Sequence, residues 1–274
     1  MKSKIFILIL LFAFVLTSCS TKNDFGEPEI NPENIEKNFS KWWLYHSENI
    51  ILSKDFIPIS ESNKVLDKKD FFEKLVTGNY IPLKLNSKDV LTYYKLYKLS
   101  DSANKSIVRE IKGGSKTSFK HFKMEGKKFP EFNFTDLKGV SYNSKNTLGK
   151  LVVVKCWFIH CVACIKEFPE LNELVKINET NENVLFISLA EDNSKDLKHF
   201  LSKTPLNYST IPEQKGFMKN NLKVKLFPTH IVIGKDGKIK KMVNYANELF
   251  EFLEKEGLNV DVEIKDVVKI PPPR

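Results

Sequence analysis

Residues 151–171 read LVVVKCWFIHCVACIKEFPEL, and this stretch decides the fold. Its first seven residues, 151–157, are apolar apart from one lysine and predict a largely buried strand. From Ile165 onward, apolar side chains recur at every third position, which predicts a helix. Cys161 and Cys164 therefore lie where a strand gives way to a helix.

This position favours thiol chemistry. The first turn of a helix offers unpaired backbone N–H groups and the positive end of the helix dipole, so we expect Cys161 to be stabilised as a thiolate. Two intervening residues bring Cys164 onto the same side one turn later, close enough for a disulfide to form and break. The pattern predicts an attacking Cys161 and a shielded, resolving Cys164.

Several separated motifs accompany the cysteine pair. Trp157 precedes Cys161 by four residues, and Lys-Glu-Phe-Pro-Glu-Leu follows at 166–171. The others are Leu-Phe-Pro-Thr at 226–229, a strand and hairpin at 231–239, Phe-Pro-Glu-Phe at 129–132 and Asp-Leu-Lys-Gly at 136–139. In this order they resemble the thioredoxin-fold family and, within it, the membrane-anchored TlpA/ResA-like thiol-disulfide oxidoreductases.

The resemblance implies an α/β, thioredoxin-like fold for residues 127–257, with a central mixed β-sheet flanked by helices. It also implies that Pro228 follows a cis peptide bond and packs against the cysteine sulfurs, and that Glu167 accepts the proton of Cys164. The residues it places around a bound substrate are Trp157, His160, Phe227 and Pro228.

Three departures from the family pattern concern the redox poise. His160 stands where a tryptophan is usual, Val-Ala separates the cysteines, and Lys155 stands where cytosolic thioredoxins carry a buried acid. A protonated imidazole at His160 would stabilise the thiolate and make the disulfide more oxidising. The alternative is that His160 is only a rim residue, and the sequence leaves both interpretations open.

The N-terminus has the features of a lipoprotein signal. Residues 1–19 combine two lysines, a short apolar stretch and Leu-Thr-Ser-Cys, which resembles a bacterial lipobox with Cys19 as the lipidated residue. An uncleaved anchor is the alternative. Polar residues 20–34 predict a tether. We therefore expect a lipid-anchored protein of the bacterial cell envelope that faces the periplasm or the exterior, where disulfides persist.

The composition of the chain limits which cofactors and partners are expected. Of four cysteines, Cys156 lies in the apolar strand and is interpreted as an inert core residue, so no structural disulfide framework remains. We expect no cofactor other than the redox disulfide, and no metal. The net charge of +9 rests on scattered lysines without the pattern of a nucleic-acid site.

Residues 35–118 lie outside the resemblance and predict a small, mainly helical module of unknown function. We predict helices at 70–76, from Ser87 through the tyrosines to 97, and at 102–112, where Gly113 and Gly114 end the third. The predicted linker, 115–128, contains a surface His121. Five aromatic residues of this module would either form its core or face a partner: Trp42, Trp43, Tyr93, Tyr94 and Tyr97. Residues 258–274 predict an extended tail.

These observations predict a membrane-anchored thiol-disulfide oxidoreductase that reduces protein disulfides and is itself reduced again by an upstream thiol donor. One alternative is a thiol peroxidase of the same fold, although Phe158 stands where that class carries Thr or Ser. Another is a copper(I) or other metal-binding lipoprotein with His160, Cys161 and Cys164 as ligands. A third is a non-catalytic scaffold. Ile165 after the second cysteine excludes c-type haem attachment.

Overall fold

The computed structural model describes residues 25–262. An N-terminal module of helices and a small sheet precedes the domain that carries the cysteine pair. Its helices are α1 (Phe39–Asn49), α2 (Lys68–Leu75) and α3 (Lys105–Met124), and a single 3-10 turn spans Pro32–Asn34. Its strands are β1 (Ile57–Ile59), β2 (Tyr80–Lys84) and β3 (Tyr93–Lys98), in the order β1-β3-β2.

Helices provide most of the regular structure of this module, but the helix predicted from Ser87 to residue 97 is wrong. Tyr94 pairs with Lys84 in the antiparallel β2–β3 ladder. The burial of Tyr94 and Leu96 follows a period of two, as in a strand, and Val90 is fully exposed. A run of tyrosines, which favours strands, overrides a helical spacing that rested on few residues.

Helix α3 is much longer than predicted. It continues through Gly113 and Gly114, so the glycines do not end it and the linker at 115–128 is largely helical. Its buried positions recur at a spacing of four across the glycines: Ile107, Ile111, Ser115 and Phe119. Tertiary packing of this stripe outweighs the low helix propensity of glycine. His121, predicted at the surface, is buried.

Buried His121 makes the module acid-sensitive. Burial, with a smaller effect of Lys120, lowers the pKa of His121 from 6.5 to about 4. The unfolded chain therefore binds a proton that the folded chain rejects, and stability falls as pH drops from 6.5 towards 4. Between pH 7 and pH 5, we expect the free energy of unfolding to fall by about 2 kcal/mol less in His121→Gln than in the parent protein. Urea unfolding at both pH values measures the difference, and a variant of an exposed histidine, His199→Gln, is the control. A His121→Gln variant whose stability depends on pH as the parent's does would contradict the prediction.

The described part of the predicted tether packs on the module, so that prediction is wrong for residues 25–34. The Phe25 and Tyr93 rings lie 5.4 Å apart, and Pro28 forms a β-bridge with Leu85. The signal segment and Cys19 lie outside the described residues, as does most of the predicted tail. Within the described range, no helix is long and apolar enough to span a membrane.

The second unit has a five-stranded mixed sheet in the order β10-β9-β6-β7-β8. Its strands are β6 (Leu151–Trp157), β7 (Val184–Ala190), β8 (Ser209–Ile211), β9 (Thr229–Ile233) and β10 (Ile239–Val243), after a hairpin of β4 (Asn133–Thr135) and β5 (Ser141–Asn143). The helices are α4 (Val162–Lys166), α5 (Phe168–Ile177), α6 (Ser194–Leu201), α7 (Lys215–Asn220) and α8 (Ala246–Lys255). The predicted thioredoxin-like fold is confirmed.

Strand β6 positions the site because it is central and completely buried. It runs parallel to β7 and antiparallel to β9. Hydrophobic clusters cover both faces of the sheet, as expected for a strand that reads as a near-continuous apolar run. The end of β6 therefore meets the start of β9 and the end of β10 at one edge of the sheet.

The two units contact each other directly. Helix α3 packs along β10, the edge strand of the five-stranded sheet. Ser53 of the module donates a hydrogen bond of 3.0 Å to Glu248 at the start of α8. An ion pair between Lys54 and Glu251 adds a second link at 2.5 Å. The module thus lies beside the active-site edge of the sheet.

Candidate active site

The cysteine pair begins the helix that follows β6. Cys161 is the N-cap of α4, and its Sγ accepts a hydrogen bond of 3.2 Å from the backbone N–H of Cys164. The two sulfurs form a disulfide, with a Cα–Cα distance of 5.2 Å. Cys161 is 7% exposed and Cys164 is fully buried. The pair can therefore exchange disulfides, with Cys161 as the more accessible sulfur.

The loop before β9 flanks the cysteine turn. The Phe227–Pro228 peptide bond is cis. The Phe227 ring lies 5.3 Å from the ring of Phe158, edge to face, and the carbonyl of Phe158 accepts a hydrogen bond from the Cys161 N–H at 3.0 Å. On the other side, Asn244 Nδ2 donates to the Pro228 carbonyl at 2.8 Å. The cis-proline loop is thus fixed between the cysteine turn and the end of β10.

A buried cluster of charged and polar groups lies next to the pair. Lys155 of β6 is directly opposite His230 of β9 in the ladder, and both side chains contact one oxygen of Glu167. Lys155 Nζ lies 2.5 Å and His230 Nε2 lies 3.1 Å from Glu167 Oε2. Glu167 Oε1 accepts a hydrogen bond of 3.0 Å from the Ala246 N–H. The carboxylate is therefore satisfied on both oxygens.

The electrostatics of this cluster favour an ionised Glu167. Burial raises the pKa of Glu167, but the neighbouring His230 and Lys155 outweigh it and leave the pKa at about 2. Burial lowers the pKa of His230, so we assign it as neutral imidazole that donates its Nε2–H to the carboxylate. His230 Nδ1 then has no hydrogen-bond partner among the described residues. Burial also lowers the pKa of Lys155, against the opposing effect of Glu167.

Comparison with known proteins places this site in a family. The Redoxin family model matches residues 124–255. The thiol-disulfide oxidoreductase ResA of Bacillus thuringiensis subsp. konkukian is 31% identical over 141 residues, which cover 50% of this chain and 81% of that protein. The chain belongs to the ResA-like thiol-disulfide oxidoreductases. A ResA of Geobacillus kaustophilus is 27% identical over 119 residues, covering 43% of this chain and 68% of that one.

Solved structures are similar to about half of the chain. The thioredoxin domain of a thiol-disulfide oxidoreductase from Bacteroides vulgatus is 26% identical, with a TM-score of 0.44, and covers 49% of this chain and 98% of that one. A structure of a thiol:disulfide interchange protein from a Bacteroides species has 26% identity and a TM-score of 0.43, covering 48% of this chain and 88% of that one.

Two residues predicted around the substrate differ in their placement. His160 is exposed beside Cys161, at the rim of the ResA-like site. Trp157 is fully buried, with its ring 5.0 Å from that of Phe168 and 6.0 Å from that of Phe200. Direct contact between Trp157 and a substrate therefore does not fit this structure. The ring instead packs in the same hydrophobic cluster as Cys161 and Cys164.

The remaining described cysteine takes no part in the site. Cys156 is a free thiol, fully buried, and burial raises its pKa to about 12. Such a thiol carries almost no thiolate at neutral pH and is inert. Among residues 25–262, no group of three or more His, Cys, Asp or Glu side chains is placed to hold a metal ion.

Sequence reasoning missed the roles of Lys155 and His230. The signal for Lys155 was present, because a lysine inside an otherwise apolar strand needs a buried partner of opposite charge. The partner, Glu167, lies twelve residues later, on the helical side of the cysteine turn. His230 gave no comparable signal, since only the β6–β9 register brings it opposite Lys155.

Proposed function

We propose that this ResA-like oxidoreductase reduces disulfides of client proteins in the bacterial cell envelope, where a lipid on Cys19 anchors it to a membrane. The observation that carries the redox role is the position of Cys161. It caps a helix, accepts an N–H from Cys164 and is the more exposed sulfur of the pair. The envelope location rests on the signal segment and the lipobox-like Leu-Thr-Ser-Cys.

Reduction proceeds by two thiol–disulfide exchanges. The Cys161 thiolate attacks one sulfur of a client disulfide, that S–S bond breaks, and the other client sulfur leaves as a thiolate. Cys164, once deprotonated, then attacks the Cys161 sulfur and releases the second client thiol. The client disulfide is thereby reduced by two electrons, and the Cys161–Cys164 pair is oxidised to a disulfide. An upstream thiol donor reduces it again.

Glu167 is proposed to accept the proton of Cys164 in the second exchange. Cys164 lies in α4, and Glu167 follows three positions later, in helical backbone conformation between α4 and α5. This spacing puts the two side chains on one face. A carboxylate with a pKa of about 2 is a weak base for a thiol. The neutral imidazole of His230, which donates to the same carboxylate, supplies a second basic site in the cluster at its Nδ1.

Clients are proposed to bind along the cis-proline loop. Phe227 is partly exposed and Pro228 is held by Asn244, so the backbone of this loop offers a fixed edge beside the disulfide. His160 is exposed next to Cys161. Its imidazole is proposed to contact the client and to tune the thiolate.

The reduction potential tests the direction of electron flow. We expect the Cys161–Cys164 pair to titrate at about −270 to −220 mV, the range of thioredoxin-type and glutaredoxin-type reductants. The measurement is equilibration in glutathione or dithiothreitol buffers followed by thiol trapping and mass analysis. A value near about −120 mV would assign an oxidant instead. A pair that never forms the disulfide would rule out the proposed chemistry altogether.

A further inference from the structure

A large cavity lies between the N-terminal module and the thioredoxin-like domain. Its volume is about 830 Å³, within the range of protein ligand sites. The walls come from α1, α3 and residues 50–55 of the module, and from the end of β10 and the start of α8 of the domain. Its apolar lining includes Trp42, Phe122 and Met242. Neither the cysteine pair nor the Lys155–Glu167–His230 cluster lines it.

Two glycines leave one wall of the cavity without side chains. Gly113 and Gly114 lie inside α3 and line the cavity, and a Cβ added at either would meet no atom within 4 Å. Glycine inside a helix is less favourable than alanine. No neighbouring element needs the missing side chains, so close packing does not explain the glycines. Their effect is to leave open space and exposed backbone facing the cavity.

Two buried polar atoms lack partners at this cavity. His46 Nδ1 and Ser115 Oγ are inaccessible and form no hydrogen bond among the described residues, and both residues line the cavity. The His46 ring stacks on Trp42 with centroids 4.8 Å apart. Leaving a buried polar atom without a hydrogen bond is unfavourable. An occupant with donors and acceptors of its own would satisfy either atom once its side chain turns towards the cavity.

The charge of the lining is opposite to that of the whole chain. Five carboxylates and two lysines line the cavity, whereas the chain carries a net charge of +9. The lysines are each paired within the lining, Lys68 with Asp55 and Lys241 with Glu125. Glu248 instead accepts hydrogen bonds from Ser53 and the Asn244 N–H. Glu110 is paired with Arg109, which lies outside the lining, whereas Glu248 forms no ion pair among the described residues. This half-buried carboxylate favours a cationic occupant, and the aromatic wall favours an apolar one.

The cavity adjoins the loop that faces the disulfide. Leu226 lines it and is followed directly by Phe227 and Pro228. Asn244 also lines it, while its side chain holds the Pro228 carbonyl. Two residues of extended chain span about 7 Å, so a polypeptide that crosses Pro228 reaches the cavity within a few residues.

We propose that this cavity is a second client-binding subsite, which takes an extended client segment with a large apolar side chain beside lysine or arginine. The inference rests on the proposed function and extends it, because it gives the N-terminal module a role in choosing clients. A polypeptide fits better than a small free cation, since the cavity is continuous with the loop on which the client disulfide is exchanged.

Fluorescence anisotropy of a labelled peptide tests the subsite. The probe is a cysteine-free peptide with the core Lys-Phe-Leu-Lys, and Glu-Phe-Leu-Glu is its charge-reversed partner. We expect the oxidised full-length protein to bind the first at least tenfold more tightly. Gly114→Leu fills the cavity and is expected to weaken this binding at least tenfold. The matched control is Gly216→Leu, in α7, where an added Cβ also meets nothing within 4 Å; it should bind as the parent does.

The outcomes separate this inference from the proposed function. Equal binding of the two peptides, no binding of either, or undiminished binding by Gly114→Leu would overturn the subsite. Should Gly114→Leu fail to fold, Glu248→Gln replaces it, and it must weaken the cationic peptide alone. The probe carries no cysteine, so its binding is independent of redox chemistry. A failed reduction-potential titration with intact peptide binding would refute the oxidoreductase and leave a peptide-binding cavity without a role in choosing redox clients.

Discussion

A Cys164→Ala variant is expected to accumulate covalent mixed disulfides with client proteins when it is expressed in a bacterial envelope. Cys161 remains at the helix N-cap and can still attack a client disulfide, but no second sulfur is left to release the product. The parent protein should show almost no such adducts, because Cys164 lies three residues away and resolves them. Non-reducing electrophoresis followed by mass spectrometry of the reduced bands measures the effect and identifies the clients.

Two controls make the trapping experiment decisive. The double variant Cys161→Ala/Cys164→Ala should form no adducts, and loss of the attacking sulfur should reduce trapping to background. The Cys156→Ala/Cys164→Ala variant should trap clients undiminished, because Cys156 is fully buried with a pKa raised to about 12 by burial. Adducts that persist without Cys161 would show that another thiol attacks, and the assignment of the attacking sulfur would then be wrong.

Lys155→Met is expected to lower the free energy of unfolding by about 3–5 kcal/mol, because it leaves the buried Glu167 carboxylate without its cation. Methionine has a similar length and fits an apolar strand, so little of the loss should come from packing. The pKa of Glu167 should rise in this variant, since Lys155 is one of the groups that lower it. As pH falls through that raised pKa, Glu167 takes up a proton and the penalty should shrink.

Urea unfolding of the parent and variant at pH 7 and pH 4 measures this difference. The Lys155→Met/Glu167→Gln double variant should recover most of the loss, because neither partner then carries a charge. Lys198→Met, at an exposed position of α6, is the surface control and should change stability by no more than about 0.5 kcal/mol. A Lys155→Met variant as stable as its parent would show that Glu167 does not depend on Lys155.

The catalytic half of the fold was predictable because its signals are local. The apolar run of β6, the C-x-x-C motif and the strand and hairpin at 231–239 each act within a few residues, and the structure has all three features in the expected order. The N-terminal module was harder. The local pattern predicts a helix where β3 lies and ends α3 at its glycines, whereas long-range packing produces a strand and a continuous helix.

The chain sequence by itself determined the redox chemistry: a cysteine at the junction of strand and helix is placed at a helix N-terminus wherever the rest of the chain lies. Only the tertiary structure decided what surrounds that pair. Lys155, Glu167 and His230 meet because β6 and β9 pair in one register, and the interdomain cavity exists because α3 packs beside β10. Contacts between residues far apart in the chain depend on register and packing, which no local pattern encodes.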